Sequence, residues 1–82
     1  MSTPKWAEGD RVRSLRWQWE YAGRASSGES KPPLRVWVHA KPGDEGIVVH
    51  VDEDYPEASA TVRFEPSGTA TAVADRDIER VG

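Results

Sequence analysis

The sequence contains no cysteine, and this absence removes several kinds of chemistry together. Without a thiol the chain offers no disulfide, no thiolate nucleophile, no cysteine-based zinc site and no ligands for an iron–sulfur cluster of its own. Small secreted domains usually depend on disulfides for stability. We therefore expect this chain of 82 residues to be cytoplasmic.

Long hydrophobic runs are also missing, since hydrophobic residues make up 37% of the sequence. No window approaches the roughly 20 apolar residues of a membrane span. Residues 1–6 lack the apolar run of a signal peptide. The length predicts one small domain, and the composition divides the chain into an N-terminal arm at 1–9 and a folded domain at 10–82.

Candidate catalytic and metal-binding groups are few. His39 and His50 are the only histidines. The pattern places them on different strands. Since structural zinc usually takes four Cys or His ligands, we predict that the two are surface histidines rather than parts of a metal site. The acidic positions of 44–54 lack the spacing of a calcium loop, and the serines of 22–33 have no nucleophile-elbow context. We predict no catalytic residue, no metal site, no cofactor and no enzymatic activity.

Charge is distributed unevenly along a chain whose net charge is −3. Residues 1–43 hold eight cations and four acids, whereas residues 44–82 hold three cations and ten acids. One interpretation is that the two halves interleave, so that charges neutralise across neighbouring strands. The other is that the domain has one basic and one acidic face for docking onto another protein.

The most apolar stretch, residues 42–52, is expected to organise the fold. Pro42 and Gly43 are typical of a tight turn, and the β-branched residues at 47–49 and 51 fit a buried strand. Ile47, Val49 and Val51 would share one face of a regular strand. If Val48 and Val51 are the buried pair instead, a bulge lies between them and His50 turns towards a different surface.

The rest of the chain predicts further short strands separated by turns, without a convincing helix. Residues 22–33 contain no large apolar residue and are expected to form one long flexible loop. Such short strands bury their edges most economically in a closed or nearly closed barrel. The first predicted strand lies at 9–16 and continues into 15–21, unless it bulges, bends or ends near Ser14. The others, besides the central one, lie at 34–40, 60–65, 69–74 and 78–81, with one helical turn at 75–77 capped by Asp75.

Four segments, taken in order, resemble those of SH3-like small barrels. They are Glu-Gly-Asp-Arg-Val-Arg at 8–13, Gly-Asp-Glu-Gly-Ile-Val at 43–48, Ala-Thr-Val-Arg-Phe-Glu at 60–65 and Asp-Ile-Glu-Arg-Val at 77–81. The similar families are accessory subunits of redox complexes: the nitrogen-fixation family NifZ, the variable chain of ferredoxin–thioredoxin reductase and the PsaE-type subunit of photosystem I. The resemblance implies an all-β, SH3-like barrel of five to six short strands.

The same resemblance implies a role for the chain. It would be a non-catalytic accessory or assembly subunit that binds a larger protein complex. The partner implied is an iron–sulfur or nitrogenase-type metalloprotein.

Tryptophan is abundant, with four residues in 82, more than a core of this size seats. Strand parity places Leu34, Val36, Val38 and Ala40 inside and Arg35, Trp37 and His39 outside. Trp17 and Trp19 face outwards if Val12 sets the parity of the first strand; alternatively, they cap an open barrel end. Because Trp and Arg are enriched at binding hot spots, we predict a partner-binding patch composed of Trp17, Trp19, Trp37, Arg13, Arg16 and Arg35.

Single-stranded nucleic acid is the alternative partner. Arg11, Arg13 and Arg16 are followed closely by Trp17, Trp19 and Tyr21, a combination that supplies phosphate contacts and stacking rings. The acidic second half of the chain opposes this alternative, so nucleic acid is the less favoured prediction.

Overall fold

The computed structural model describes residues 5–52 and 59–82 and confirms an all-β chain. It has eight strands within these ranges, rather than five to six, and a single turn of 3-10 helix. The strands are β1 (Arg11–Ser14), β2 (Trp17–Tyr21), β3 (Arg24–Gly28), β4 (Trp37–Ala40), β5 (Glu45–Asp52), β6 (Ser59–Phe64), β7 (Ala70–Ala74) and β8 (Ile78–Arg80), and the 3-10 turn is Asp75–Asp77.

The strands form two antiparallel sheets. The large sheet has five strands in the order β7-β6-β5-β1-β8, and the small sheet has three in the order β3-β2-β4. The strand predicted at 9–16 ends at Ser14, and the chain then leaves the large sheet for the small one. Neither sheet closes into a barrel within the part of the chain that the structure describes, so the predicted closure is not confirmed.

β5 occupies the centre of the large sheet, as its apolar sequence predicts. Val48 is 1% exposed and pairs with Val62, and the register then shifts so that His50 pairs with Thr61. Val51 packs against the core from the end of the strand. The interpretation with a bulge between Val48 and Val51 is therefore confirmed, and His50 is exposed.

The hydrophobic core lies on one side of the large sheet. The prediction that Val12, Val62 and Phe64 are interior is confirmed, since none of the three is exposed to solvent. The other buried apolar side chains include Trp6 of the N-terminal arm. The core cluster comprises Trp6, Val12, Ala40, Val48, Ala60, Val62, Phe64, Val73 and Ile78.

Trp6 folds back onto the domain and is held by polar contacts. Its indole Nε1 donates a hydrogen bond to Asp75 Oδ1 at 3.0 Å, and the guanidinium of Arg80 lies 5.3 Å from the ring centroid.

The backbone N–H of Ala7 and the guanidinium of Arg80 both bind Asp10 and hold the pKa of that carboxyl below its usual value. The prediction that Asp75 caps the helical turn is wrong, because the N-cap is Ala74 and no side chain caps it.

The prediction of a structureless loop at 22–33 is also wrong. Residues 24–28 form β3, which pairs with β2 along its whole length. The two-residue connection consists of Ala22 and Gly23, with φ of 51° and 79°. Positive φ at both positions is the geometry of a type I′ turn, which matches the twist of a two-stranded hairpin.

Gly46 explains how closely β5 approaches its neighbour β6. A Cβ atom at this position would lie 2.5 Å from the carbonyl oxygen of Arg63 and 2.8 Å from Cγ1 of Val62. Since the first of these atoms belongs to the backbone, the side chain of another residue would force the two strands apart.

We expect the substitution Gly46→Ala to lower the free energy of unfolding by about 1–3 kcal/mol, because overpacking a strand contact strains the backbone. Urea denaturation followed by tryptophan fluorescence measures this loss. Gly28→Ala is the matched control, since a Cβ there meets nothing within 4 Å, and its effect should stay within about 0.5 kcal/mol. Equal midpoints for the two variants would contradict the close approach.

Candidate docking surface

The small sheet presents an aromatic surface built on β2. Trp17, Trp19 and Tyr21 alternate along this strand and so lie on one face. Val38 on β4 pairs directly with Trp19 and shares that face. We call these four residues, Trp17, Trp19, Tyr21 and Val38, the aromatic face.

The aromatic face is directed away from the large sheet, because the opposite face of β2 is the buried one. Gln18 is 2% exposed, and Ala40, which pairs with it, is 1% exposed. Ser27, the partner of Gln18 on β3, donates a hydrogen bond to Asp77 of the large-sheet half of the chain. The inner face therefore packs on the rest of the domain, and the outer face carries the rings.

Solvent reaches the aromatic face unevenly. Tyr21 is 62% exposed and Val38 is 39% exposed, whereas Trp17 and Trp19 are half-buried. On β3 the residues opposite the tryptophans are Gly28 and Ser26, which are small, and Arg24 stands opposite Tyr21. Clustered exposed apolar groups of this kind are typical of interaction sites.

Trp37 is exposed, as predicted, but it does not join the other tryptophans. It pairs with Glu20, so the register places it on the inner side of the small sheet. The ring is 57% exposed, and its Nε1 donates to Thr69 Oγ1 at 3.3 Å. The structure thus brings together Trp17 and Trp19 of the predicted patch and separates Trp37 from them.

The arginines of the predicted patch also lie apart. Arg13 belongs to the large sheet and pairs with Glu79 at 3.1 Å. Arg16 lies between the sheets and contacts Asp77 and Glu29. Arg35 is exposed in the connection before β4, with a positive φ of 69°.

Asp77 joins the two sheets, and the sequence pattern gave no sign of this role. Its side chain is 6% exposed; Oδ1 lies 3.1 Å from Arg16 Nε, and Oδ2 accepts a hydrogen bond of 2.8 Å from Ser27 Oγ. Its carbonyl oxygen accepts from the backbone N–H of Leu15 at 2.8 Å. One residue thus binds the start of the small sheet, its edge strand and the connection between the sheets.

A cleft of about 360 Å³ opens where β2 begins and β4 ends, beside Trp17. Val38, Lys41 and Pro66 contribute to its walls. His39 lines it as well but is 5% exposed, so the prediction that His39 lies at the surface is wrong. The alternation of inward and outward side chains along β4 is interrupted here, because the register shifts between Gln18 and Trp19. This shift makes His39 an extra residue opposite β2.

The buried His39 connects polar groups from both sheets. Its Nδ1 lies 2.6 Å from Thr69 Oγ1, and its Nε2 lies 3.4 Å from Glu20 Oε1. Because both ring nitrogens have partners, the imidazole is a satisfied part of the packing between β4 and the β6–β7 turn. Leu34, predicted to be interior, is 90% exposed, and that prediction is wrong.

Residues 5–52 and 59–82 contain no group of three or more His, Cys, Asp or Glu residues placed to hold a metal ion. No helix in these ranges has the length and hydrophobicity to cross a membrane.

Comparison of the chain with protein-family models, with curated proteins and with solved structures finds no match.

We expect Asp77→Ala to lower the free energy of unfolding by about 2–3 kcal/mol, since it leaves Arg16 and Ser27 without their shared buried acceptor. Glu79→Ala is the control, because it removes the exposed partner of Arg13 and should cost at most about 1 kcal/mol. Urea denaturation measures both. An Asp77→Ala loss no larger than that of Glu79→Ala would show that Asp77 does not join the sheets.

Proposed function

We propose that this chain is a non-catalytic accessory or assembly subunit that docks on a larger protein through the aromatic face. The observation that carries the proposal is that β2 buries a polar side chain and turns its tryptophans outwards, the reverse of the usual arrangement. Gln18 is buried, whereas Trp17 and Trp19 on the same strand face outwards. Large aromatic side chains normally fill the interior, and an outward pair supplies the apolar centre that protein interfaces need.

The arrangement of the arginines favours a protein over a nucleic acid. Arg11 contacts Glu45 and Glu65, Arg13 contacts Glu79, and Arg16 contacts Asp77 and Glu29. Carboxylates thus neutralise the three guanidinium groups that the nucleic-acid alternative needs for phosphate. Cations and acids from the two halves of the chain interleave in these pairs, which supports the interpretation of cross-strand neutralisation.

We further propose that the two sheets together form a nearly closed, SH3-like barrel and that the partner is a redox metalloprotein complex. The fold proposal is supported by β1 lying between β5 and β8 and by the 3-10 turn that leads into the last strand. The partner class rests on the sequence resemblance alone. The proposed docking surface is smaller than the patch expected from the sequence, because four members of that patch lie outside the aromatic face: Trp37, Arg13, Arg16 and Arg35.

The double variant Tyr21→Thr/Val38→Thr tests the docking surface. Both side chains are exposed, and threonine keeps the strand propensity, so the melting temperature should change little. Because the variant removes apolar contact area, we expect it to recover less than about a tenth of the partner that the wild-type protein captures from native lysate. Quantitative mass spectrometry of the captured proteins, with and without nuclease, measures the difference.

Trp37→Thr is the matched control, since it removes an exposed ring from the opposite face of the same sheet. It should retain the partner at the wild-type level. Equal recovery by the double variant and the wild-type protein, or a capture that nuclease abolishes, would overturn the proposal.

A further inference from the structure

We infer that the groove between β3 and β7 receives a neutral carboxamide side chain, Asn or Gln, from the partner that docks on the aromatic face. This inference rests on the proposed function and names one side chain of that partner. It follows from a buried donor that lacks an acceptor among the described residues, from the size of the groove and from the chemistry of its walls.

Gln18 supplies the donor. It is the only glutamine of a chain that contains no asparagine. It is 2% exposed and lines the groove, and its Nε2 has no hydrogen-bond partner among the described residues. Buried polar groups in folded proteins are almost always hydrogen-bonded. A buried amide of this kind beside a groove therefore indicates a group that enters the groove and accepts a hydrogen bond from it.

The groove has a volume of about 170 Å³ and lies between the edge strands of the two sheets. Pockets for whole small molecules usually measure about 300–1,000 Å³, so this space suits a single side chain better than a free metabolite. Ala25 and Ala72 line the groove and are exposed. Because each carries only a methyl group, a side chain from outside can pass them to reach Gln18.

The walls favour a neutral group over an ion. Asp77 is the only charged residue that lines the groove in the described part of the chain. Its carboxylate already binds Arg16 Nε at 3.1 Å and Ser27 Oγ at 2.8 Å. An ammonium or carboxylate group that entered the groove would lose its water without gaining a free counter-ion, which is costly. The occupant is therefore polar but uncharged.

A carboxamide matches the Gln18 amide better than the other neutral side chains do. It has a carbonyl oxygen that accepts from Nε2 and N–H groups that donate, so two amides can pair through two hydrogen bonds. The pairing holds in either orientation of the Gln18 amide, because each partner is both donor and acceptor. A hydroxyl group has its donor and acceptor on one atom and cannot form this planar pair.

One strand, β3, separates the groove from the aromatic face. Ser26 on that strand pairs with Trp19 and also lines the groove. A partner segment that contacts Trp19 therefore lies beside the groove, and a long side chain of that segment can reach past Ser26 into it. This proximity assigns the carboxamide to the docked partner.

The test follows the Gln18 amide by NMR, since its NH2 group gives the only side-chain carboxamide signal of the chain. The Nα-acetyl N-methylamides of glutamine, methionine and glutamate are titrated into the isotopically labelled full chain. We expect the glutamine probe to shift the Gln18 signal saturably. Its Kd should be about tenfold lower than that of either other probe, because only the carboxamide pairs with Nε2.

Gln18→Met removes the amide at nearly the same size. Because the variant also removes a buried donor, its melting temperature should be unchanged or higher. It should bind the glutamine probe about tenfold more weakly, as measured from the backbone signals of Ala25 and Ala72, and recover less of the partner from native lysate. Glu79→Gln is the control, since it places a carboxamide on the exposed part of β8. Its new side-chain signal should not shift, and the affinity for the probe should stay at the wild-type value.

The outcomes separate this inference from the proposed function. Equal affinity for the three probes, or a Gln18 signal that shifts with none of them, would overturn the inference, because the groove would then hold main chain or water. If Tyr21→Thr/Val38→Thr loses the partner but Gln18→Met captures it normally, the aromatic face docks a protein and only the carboxamide assignment fails. If the probe binds as expected but the double variant keeps the partner, the proposed function fails, and the assignment of the carboxamide to that partner fails with it.

Discussion

The position of the small sheet depends on one buried carboxylate. Asp77 sits in the 3-10 turn before β8, so its backbone belongs to the large sheet's half of the domain, while its side chain binds Arg16 and Ser27 at the boundary of the other sheet. A buried charge is costly unless it is fully paired, and each oxygen of this carboxylate has a partner. The pairing fixes which face of the hairpin turns inwards, and therefore which face carries the tryptophans.

That orientation has a consequence for packing. Around Gln18, where the small sheet packs on the rest of the domain, its inner face offers only small or polar groups, namely Gln18, Ser27 and Ala40. Gln18 Nε2 is buried without a hydrogen-bond partner among the described residues, which is an unfavourable arrangement. A sequence selected for stability alone would place an apolar residue there and a polar one outside. The observed order costs stability, so a use for the outer rings is the natural explanation.

Much of the large sheet is predictable from residue type, whereas the small sheet is not. The β-branched run of β5 and the Val62–Phe64 alternation determine their own burial, and the bulge after Val48 is one of the two arrangements that the run of apolar residues allows. β3 has no such signal, because its sequence, Arg-Ala-Ser-Ser-Gly, has low strand propensity. It forms a strand through its pairing with β2. The inward position of His39 depends on a register shift between strands, which no local pattern reports.

The ion pairs also distinguish the large sheet from the small one, and this difference affects how a partner would be recognised. In the large sheet and the N-terminal arm, carboxylates pair with Lys5, Arg11, Arg13 and Arg80, so these charges mainly hold strands together. Each exposed pair contributes little to stability, about 0–1 kcal/mol, yet it removes a positive charge from the field that a partner meets. Arg24, at one end of the aromatic face, forms no ion pair among the described residues, whereas Lys41, at the other end, shares its cleft with the carboxylate of Asp44. Charges at the rim of the aromatic face would act chiefly on the rate and specificity of association, whereas the rings supply the apolar contact.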